Sequence, residues 1–204
     1  MVVIVNFGIG NIGSIAYKLA DAQIPVSVSS DAREISAADR LVLPGVGHFG
    51  YAMNQLKKLG LLGALNEAVI GKKTPIFGIC LGFQLFATGS EEGDAEGLGW
   101  IDAAVRRFSS GSDLSLRIPH VGWSTIRLER SHSLFETQNP GTRYYFSHSY
   151  YMRFAAAADC IATAVYGETF AAAAGKDNIF GTQFHPEKSH RSGFELLRKF
   201  AAGE

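Results

Sequence analysis

The segment from Pro75 to Phe86, which reads PIFGICLGFQLF, constrains the fold of this chain more than any other stretch. Its centre, Gly78-Ile79-Cys80-Leu81-Gly82, is a Gly-x-nucleophile-x-Gly pattern with cysteine as the nucleophile. This pattern places a reactive side chain on a sharp strand-to-helix turn, where small neighbours are needed. A helix that starts after Cys80 also favours the thiolate through its N-terminal dipole. We therefore expect a strained, exposed nucleophile, and not a buried free cysteine in a core strand.

The residues before Ser90 alternate between short apolar strands and helical segments, which is typical of βαβ units in a parallel sheet. The predicted strands are Val2 to Asn6, Pro25 to Ser29, Arg40 to Leu43 and one starting at Ile76. The predicted helices are Ser14 to Ala22, Asp31 to Ala37, Phe49 to Leu59, Leu61 to Ile70 and Phe83 to Ala87.

The residues after Ser90 have a different pattern, in which β segments are separated by loops. These segments are Trp100 to Phe108, Leu116 to Ile118, Ser124 to Leu128, Arg143 to Met152, Cys160 to Tyr166, Phe170 to Ala174 and Ile179 to Phe184. A helix over Ser192 to Ala201 closes the chain. The sequence predicts an α/β fold: a mostly parallel central sheet with flanking helices and added antiparallel strands.

Length and charge limit the classes of function. The 204 residues suit one domain spanning 1–204, and 19 basic residues balance 19 acidic ones, so nothing indicates nucleic-acid or anionic-membrane binding. No apolar run is long enough for a transmembrane helix, and the N-terminus resembles a first strand and not a leader. Two cysteines do not make a disulfide framework, so we expect a reducing cytoplasm.

The tripeptide His185-Pro186-Glu187 could complete a catalytic triad with Cys80. A cysteine nucleophile needs a base and a third group that orients the base. In an extended segment residues i and i+2 share a face, so the Glu187 carboxylate could reach the His185 imidazole. Pro186 keeps His185 in the β or polyproline region. The alternative is a solvated turn, but a Gly-x-Cys-x-Gly pattern in the same chain favours the triad.

Two peptide segments could hold an oxyanion. The residue after such a nucleophile, here Leu81, usually supplies one backbone N–H. Pro44-Gly45-Val46-Gly47, after the third strand, could present further N–H groups at the carboxyl edge of the sheet, where open parallel sheets place their sites. An ordinary glycine turn is the alternative.

The other histidines lack the close spacing of a metal site, so we expect no metal. They are His48, His120, His132, His148 and His190. Cys160 lies in an alanine-rich strand and is expected to be a small core residue.

One pattern points to a different class of protein. Gly8 to Gly13 fits G-x-G-x-x-G after a first strand, and Asp31 follows about twenty residues later, as in dinucleotide-binding folds. A single match of this pattern is weak and explains neither the Cys80 turn nor the His-Pro-Glu segment. A tight turn that approaches another surface is the simpler interpretation.

Taken together, GICLGFQLF, PGVG and FHPEKS, in this order, resemble the triad-type (class I) glutamine amidotransferases. The resemblance runs from Val2 to the C-terminal helix. It implies that Cys80, with His185 and Glu187, attacks the side-chain amide of glutamine, releases ammonia and leaves a γ-glutamyl thioester that water hydrolyses. No cofactor is implied.

The resemblance also assigns roles to individual positions. An oxyanion hole would be lined by Val46, Gly47 and Leu81, and glutamine would be held by Gly47, Gln84, His148, Ser149 and Tyr150. A surface around Asn11, Trp123, Tyr145 and Lys188 would face a partner. Trp123 is also a sensible interface anchor on physical grounds.

Further stretches narrow the resemblance to glutaminase subunits that form a heterodimer with a (β/α)8-barrel cyclase of histidine biosynthesis and channel ammonia to it. These stretches are FGIGN, SEEG, GLGWI, IPHVGWS and YYFSHSY. GLGWIDA and KDNIFGTQFHPEKSH also resemble a paralogous branch that supplies ammonia for amidino groups on surface sugars. Two further alternatives stay open: a non-catalytic regulatory subunit of the same fold, and a stand-alone hydrolase.

Overall fold

The computed structural model describes residues 1–109, 116–136, 139, 141–155 and 159–204. Five strands form the parallel part of the main sheet: β1 (Val2–Val5), β2 (Val26–Ser29), β3 (Arg40–Gly45), β4 (Ile76–Cys80) and β14 (Ile179–Thr182). Three antiparallel strands extend it: β13 (Glu168–Lys176), β12 (Cys160–Tyr166) and β9 (Arg127–Leu128). The order across the sheet is β2-β1-β3-β4-β14-β13-β12-β9.

Two small sheets are separate from the main one. β8 (His120–Thr125) pairs antiparallel with β10 (Arg143–His148). The second small sheet has the order β11-β7-β5-β6. Its strands are β5 (Gly89–Ser90), β6 (Ala95–Glu96), β7 (Ala103–Arg107) and β11 (Tyr150–Phe154).

Helices cover both faces of the main sheet. They are α1 (Ile12–Asp21), α2 (Ala32–Ser36), α3 (Phe49–Lys58), α4 (Leu61–Asn66), α5 (Leu81–Gln84) and α6 (His190–Ala202). A π-helical turn, Glu67–Gly71, continues α4, and 3₁₀ turns form at Ser133–Phe135 and Pro186–Lys188.

Alternate residues of the central strands belong to two different hydrophobic cores. In β1, Val3 and Val5 pack with the core that contains α3 and α4, whereas Val2 and Ile4 pack with the core that contains α1 and α6. All four residues are buried, as expected for a parallel strand covered on both faces. The predicted fold class is confirmed.

Some predicted elements differ from the structure. Among the described residues, only β9, β12 and β13 add to the main sheet as antiparallel strands. The segment predicted over 143–152 is interrupted at Ser149, and its halves, β10 and β11, belong to different small sheets. Leu116 to Ile118 is not a strand; β8 begins after Pro119, which has no N–H to donate to a ladder.

The helix predicted over Phe83 to Ala87 instead spans Leu81–Gln84. It ends early because the carbonyl groups of the next three residues, Leu85 to Ala87, accept hydrogen bonds from the backbone of residues 98–101.

The register of the main sheet gathers the carboxyl ends of three strands. Gly45 of β3 lies opposite Cys80 of β4, and Thr182 of β14 lies opposite Ile79. The segments that follow these strands are therefore neighbours at one edge of the sheet, where open parallel sheets bind their ligands.

Candidate active site

Cys80 lies on a strained turn between β4 and α5. Its backbone has φ 53° and ψ −106°, a conformation that a non-glycine residue rarely adopts. A Cβ atom at Gly82 would overlap the carbonyl oxygen of Leu43, so the chain needs glycine there. The predicted strain is confirmed. The predicted exposure is wrong, because Cys80 is only 5% exposed, although it lines a cavity.

His185 and Glu187 form a buried pair beside Cys80. His185 Nδ1 lies 2.9 Å from Glu187 Oε1, and the His185 side chain is in hydrogen-bonding reach of Cys80. The predicted pairing is present, but the extended geometry invoked for it is not. His185 itself is extended, with φ −96° and ψ 97°, whereas Pro186 to Lys188 turn in a 3₁₀ conformation that brings the carboxylate back to the ring.

The electrostatics of this pair favour a charged imidazole. Burial alone would lower the pKa of His185, but the Cys80 sulfur and then the Glu187 carboxylate outweigh it and raise the pKa to about 10. Burial raises the pKa of Glu187, yet its hydrogen bond and charge interaction with His185, and the amide of Asn11, hold it below its usual value. The arrangement favours the protonated imidazolium form of His185, which lies between the Cys80 sulfur and the Glu187 carboxylate.

Strand β10 anchors the loop that carries His185. The His185 N–H donates to the Tyr145 carbonyl at 2.8 Å, and the Ser189 hydroxyl donates to the His185 carbonyl at 2.6 Å. The Tyr145 N–H in turn donates to Ser189 Oγ. These contacts fix the position of the imidazole relative to the turn that holds Cys80.

The glycine-rich loop after β1 supports the segment predicted to form an oxyanion hole. A Cβ atom at Gly10 would come within 2.9 Å of Pro44 Cβ, so the loop passes closely over the Pro44-Gly45 peptide. This contact supports the tight-turn interpretation of Gly8 to Gly13. Val46 and Gly47, the latter with φ +105°, line the cavity together with Leu81.

A cavity of about 450 Å³ brings most of the predicted site residues together. Those that line it are Asn11, Val46, Gly47, Cys80, Leu81, Gln84, His148, Ser149, Tyr150, His185 and Lys188. Glu187 lies behind His185 and contacts its Nδ1. Glu92, Pro119 and Ser147 also line the cavity, and the sequence analysis missed all three as site residues.

Two buried amides lie behind the nucleophile. Gln84 Nε2 donates to the Tyr150 carbonyl at 2.7 Å and to Gln183 Oε1 at 2.9 Å. Gln183 Nε2 lies 3.7 Å from Cys80 Sγ. Gln183 was not predicted as a site residue; its only local signal is a glutamine between Thr182 and Phe184, directly after a core strand.

His120 and His148 lie side by side, a contact that their spacing in the sequence does not predict. They are opposite each other in the β8–β10 pair, with His120 Nδ1 3.2 Å from His148 Nε2. Burial lowers the pKa of His120 to about 4 and that of His148 to about 3. The pair is therefore neutral near pH 7.

Of the four residues predicted to face a partner, Trp123, Tyr145 and Lys188 are in contact, and Asn11 lines the same cavity as Lys188. Trp123 and Tyr145 are in edge contact at 5.9 Å between ring centroids, and the Lys188 ammonium lies 5.5 Å from the Tyr145 ring. Asn11 sits at the start of α1, where its side chain makes no cap and instead donates to Glu187 Oε1 at 2.9 Å. Trp123 also stacks on His190, at 4.7 Å.

Within the described ranges, no group of three or more histidine, cysteine, aspartate or glutamate side chains could hold a metal ion. The helices of the same part of the chain are all too short or too polar to cross a membrane.

The fold and this site define a class of protein. The family described as glutamine amidotransferase class-I matches residues 3–202. The chain belongs to the class I glutamine amidotransferases.

Individual proteins of this family resemble the chain over nearly its whole length. The imidazole glycerol phosphate synthase subunit HisH of Leptospira borgpetersenii is 39% identical over 203 residues, which cover 99% of this chain and 100% of that protein. The subunit HisH 2 of Pseudomonas aeruginosa is 40% identical, with 98% of each chain covered. A crystal structure described as glutamine amidotransferase has a TM-score of 0.73 over 100% of both chains at 15% identity, which supports the fold.

Proposed function

We propose that the chain, as one glutaminase domain over residues 1–204, is the glutaminase subunit of an imidazole glycerol phosphate synthase. It hydrolyses glutamine to glutamate and passes the ammonia to a (β/α)8-barrel cyclase in histidine biosynthesis. The relatives that carry this function in their names match the chain over nearly its whole length. The observation that carries the catalytic part is Cys80 on its strained turn, facing the buried His185–Glu187 pair inside the cavity.

The geometry supports nucleophilic catalysis by Cys80. The sulfur attacks the γ-carbonyl carbon of glutamine and forms a C–S bond, while the negative charge on the carbonyl oxygen is stabilised by backbone N–H groups of Val46, Gly47 or Leu81. The protonated His185 then gives its proton to the departing nitrogen as the C–N bond breaks and ammonia leaves. Water, deprotonated by His185, hydrolyses the γ-glutamyl thioester and restores the thiol, with glutamate as the product.

The cavity offers groups for both ends of glutamine. Glu92 lines the cavity and is held by a hydrogen bond from the Phe49 N–H at 2.8 Å, so its carboxylate can pair with the α-ammonium group. The side-chain amide lies towards Cys80, next to Gly47, Ser149 and Tyr150. Both ring nitrogens of His148 already have partners inside the protein, so we assign it a supporting role.

The partner is assigned to the surface around Asn11, Trp123, Tyr145 and Lys188. Two of these residues, Asn11 and Lys188, line the same cavity as Cys80, and Tyr145 holds the loop of His185. A subunit bound there would cover the cavity and shield ammonia from protonation by water. Binding at this surface could also be coupled to the state of the catalytic pair through Asn11 and Tyr145. We place the heterodimer in the cytoplasm, since Cys80 has to stay reduced to act.

The test is glutamate release from glutamine, with and without the cyclase-type barrel subunit of the same genome. We expect turnover to rise when the barrel subunit is added and to disappear in Cys80→Ala. Cys160→Ala is the matched control, because Cys160 is also buried but lies in β12, where burial raises its thiol pKa to about 11. Turnover by Cys80→Ala at the wild-type rate would contradict the proposal. A non-catalytic subunit would release no glutamate in any combination, and a stand-alone hydrolase would ignore the barrel subunit.

A further inference from the structure

We propose that His120 is a positioning residue for the glutamine pocket. Together with His148 it fixes the wall that holds Gln84 and Gln183 behind Cys80, and it links that wall to Ser124 on strand β8. This inference rests on the proposed glutaminase function.

A continuous chain of hydrogen bonds leads from strand β8 to the pocket wall. Ser124 Oγ lies 3.0 Å from His120 Nε2, and His120 Nδ1 lies 3.2 Å from His148 Nε2. His148 Nδ1 lies 2.8 Å from the Tyr150 carbonyl oxygen. Gln84 Nε2 donates to that same oxygen at 2.7 Å, so one carbonyl is shared by the histidine pair and by a residue of the pocket.

The chain continues to the nucleophile through two amides. Gln84 uses its second N–H to reach Gln183 Oε1 at 2.9 Å. Since that oxygen accepts, the other end of the Gln183 amide, Nε2, is the donor that points at Cys80 Sγ, 3.7 Å away. This contact places the Gln183 amide against the sulfur of Cys80.

The donor and the acceptor of each hydrogen bond in this chain follow from the Tyr150 carbonyl at one end and the Ser124 hydroxyl at the other. The Tyr150 carbonyl can only accept, so His148 carries its proton on Nδ1 and offers a lone pair at Nε2. His120 must then donate from Nδ1, and its own Nε2 must accept from the Ser124 hydroxyl. The geometry therefore sets one tautomer for each ring, provided that both imidazoles are neutral. Burial keeps them neutral, because it lowers both pKa values far below 7.

Packing holds the His120 ring in the plane that these bonds need. The ring is 2% exposed and lies between two aromatic rings, Tyr166 at 4.0 Å and Phe146 at 5.0 Å, with interplanar angles of 19° and 22°. A ring clamped in this way cannot turn to follow His148. His120 therefore imposes its orientation on His148, and through it on the Tyr150 carbonyl.

His120→Phe is the first test, because phenylalanine keeps a stacked ring and removes both hydrogen bonds. We expect kcat/KM for glutamine, measured with the barrel subunit present, to fall by about tenfold, with most of the change in KM. A loss of this size is expected when a network of hydrogen bonds between neutral groups is broken. Alkylation of Cys80 by iodoacetamide should change less than kcat/KM does, because His120 reaches the sulfur only through three intermediate side chains. This reagent does not use the glutamine pocket, and the triad is intact in the variant.

His120→Asn is the rescue variant. Its side-chain N–H can occupy the position of Nδ1 and donate to His148, but it loses the ring that stacks between Phe146 and Tyr166. We therefore expect His120→Asn to have a lower melting temperature than His120→Phe and yet a KM for glutamine closer to wild type. Ser124→Ala, which removes only the outermost link, should raise KM by about twofold to threefold.

The outcomes separate this inference from the proposed function. If the wild-type complex releases no glutamate, the proposed function fails. If the wild-type complex is active and His120→Phe has the wild-type KM, the inference is overturned. It is also overturned if KM follows the melting temperature, so that His120→Asn is worse than His120→Phe, because that order indicates a purely structural role. If His120→Phe fails to fold, two results together overturn the inference. The KM for glutamine is unchanged in Ser124→Ala, and it is no closer to the wild-type value in His120→Asn than in a packing variant at Phe146.

Discussion

Two buried histidines line the same cavity, and one of them is charged whereas the other is neutral. His185 and His148 are 2% and 6% exposed, so burial disfavours the charged form of both rings. The pKa of His185 is nevertheless raised to about 10, while that of His148 is lowered to about 3. The difference lies in their partners: His185 faces a sulfur and a carboxylate, and His148 faces a carbonyl oxygen and a second imidazole.

This comparison shows that burial alone does not decide the role of a histidine. The charged ring is the one that can exchange protons with Cys80 and the substrate, and the neutral pair can only donate and accept hydrogen bonds in fixed directions. In the mechanism we propose, one cavity contains a histidine that transfers protons and a histidine pair that positions other groups. The following variants change the surroundings of either His185 or the His120–His148 pair, one at a time.

The largest effect is expected from Glu187→Gln, which removes the carboxylate that faces His185. We expect kcat for glutamine to fall by about 10³–10⁴-fold, since the base loses the partner that orients and charges it. The pKa of His185, followed by NMR, should fall as well. Glu34→Gln, at an exposed position of α2, is the matched control and should keep wild-type turnover. A turnover within about threefold of wild type in Glu187→Gln would show that the charge of His185 does not matter for catalysis.

The neutral pair predicts an acid-sensitive fold. Between pH 6.5 and 4.5 the unfolded histidines bind protons that the folded His120 and His148 do not, so the free energy of unfolding falls as the pH falls. The slope is at most about 1.4 kcal/mol per pH unit for each histidine. His185, whose folded pKa is raised to about 10, adds a slope of the opposite sign near pH 6.5, and this contribution vanishes towards pH 4.5, where His185 is protonated in both states.

Urea unfolding at several pH values measures this slope. His120→Phe should remove the share of one histidine and leave the curve flatter over the same interval. An identical slope in wild type and variant would show that the folded pair is protonated already.

A smaller effect is expected from Asn11→Ala. The variant removes the hydrogen bond to Glu187 Oε1, and the second carboxylate oxygen, Oε2, is buried without a partner among the described residues. A hydrogen bond to a charged group contributes about 1.5–3 kcal/mol, so kcat should fall by about tenfold or more. Asn54→Ala, on the exposed face of α3, is the control. Equal turnover in both variants would place Asn11 outside the catalytic arrangement.

The smallest effect concerns a buried polar group that has no partner. The Tyr144 ring stacks on Phe184 at 4.1 Å, and its hydroxyl is buried without a hydrogen bond in the described part of the chain. An unsatisfied hydroxyl costs about 1–3 kcal/mol, so we expect Tyr144→Phe to raise the free energy of unfolding by about 1 kcal/mol. A loss of stability in thermal unfolding would indicate a contact that the structure does not contain.

The surroundings of the charged His185 could be predicted from the sequence, whereas the neutral His120–His148 pair could not. His185 and Glu187 are two residues apart, so their contact is local, and Cys80 belongs to a short motif that marks a nucleophile without reference to the rest of the chain. His120 and His148 are 28 residues apart and meet only through the register of β8 against β10. That register depends on tertiary packing, which single-sequence patterns do not contain.

The same distinction explains the other differences. The parallel strands were predicted well because continuous apolar runs and glycine turns mark their ends. The division of the second half into three sheets was not, because short strands of similar composition can pair in several ways. Glu92 reaches the cavity from the SEEG stretch, which the resemblance picked out without giving Glu92 a role.

The most direct test of the account is whether glutamine forms a covalent intermediate on Cys80. The complex with its barrel subunit should be mixed with glutamine, quenched in acid during turnover and digested for mass spectrometry. We predict a γ-glutamyl group on the peptide that contains Cys80 and none on the peptide that contains Cys160. Glutamate release without any adduct on Cys80, at a rate that Cys80→Ala preserves, would contradict the account.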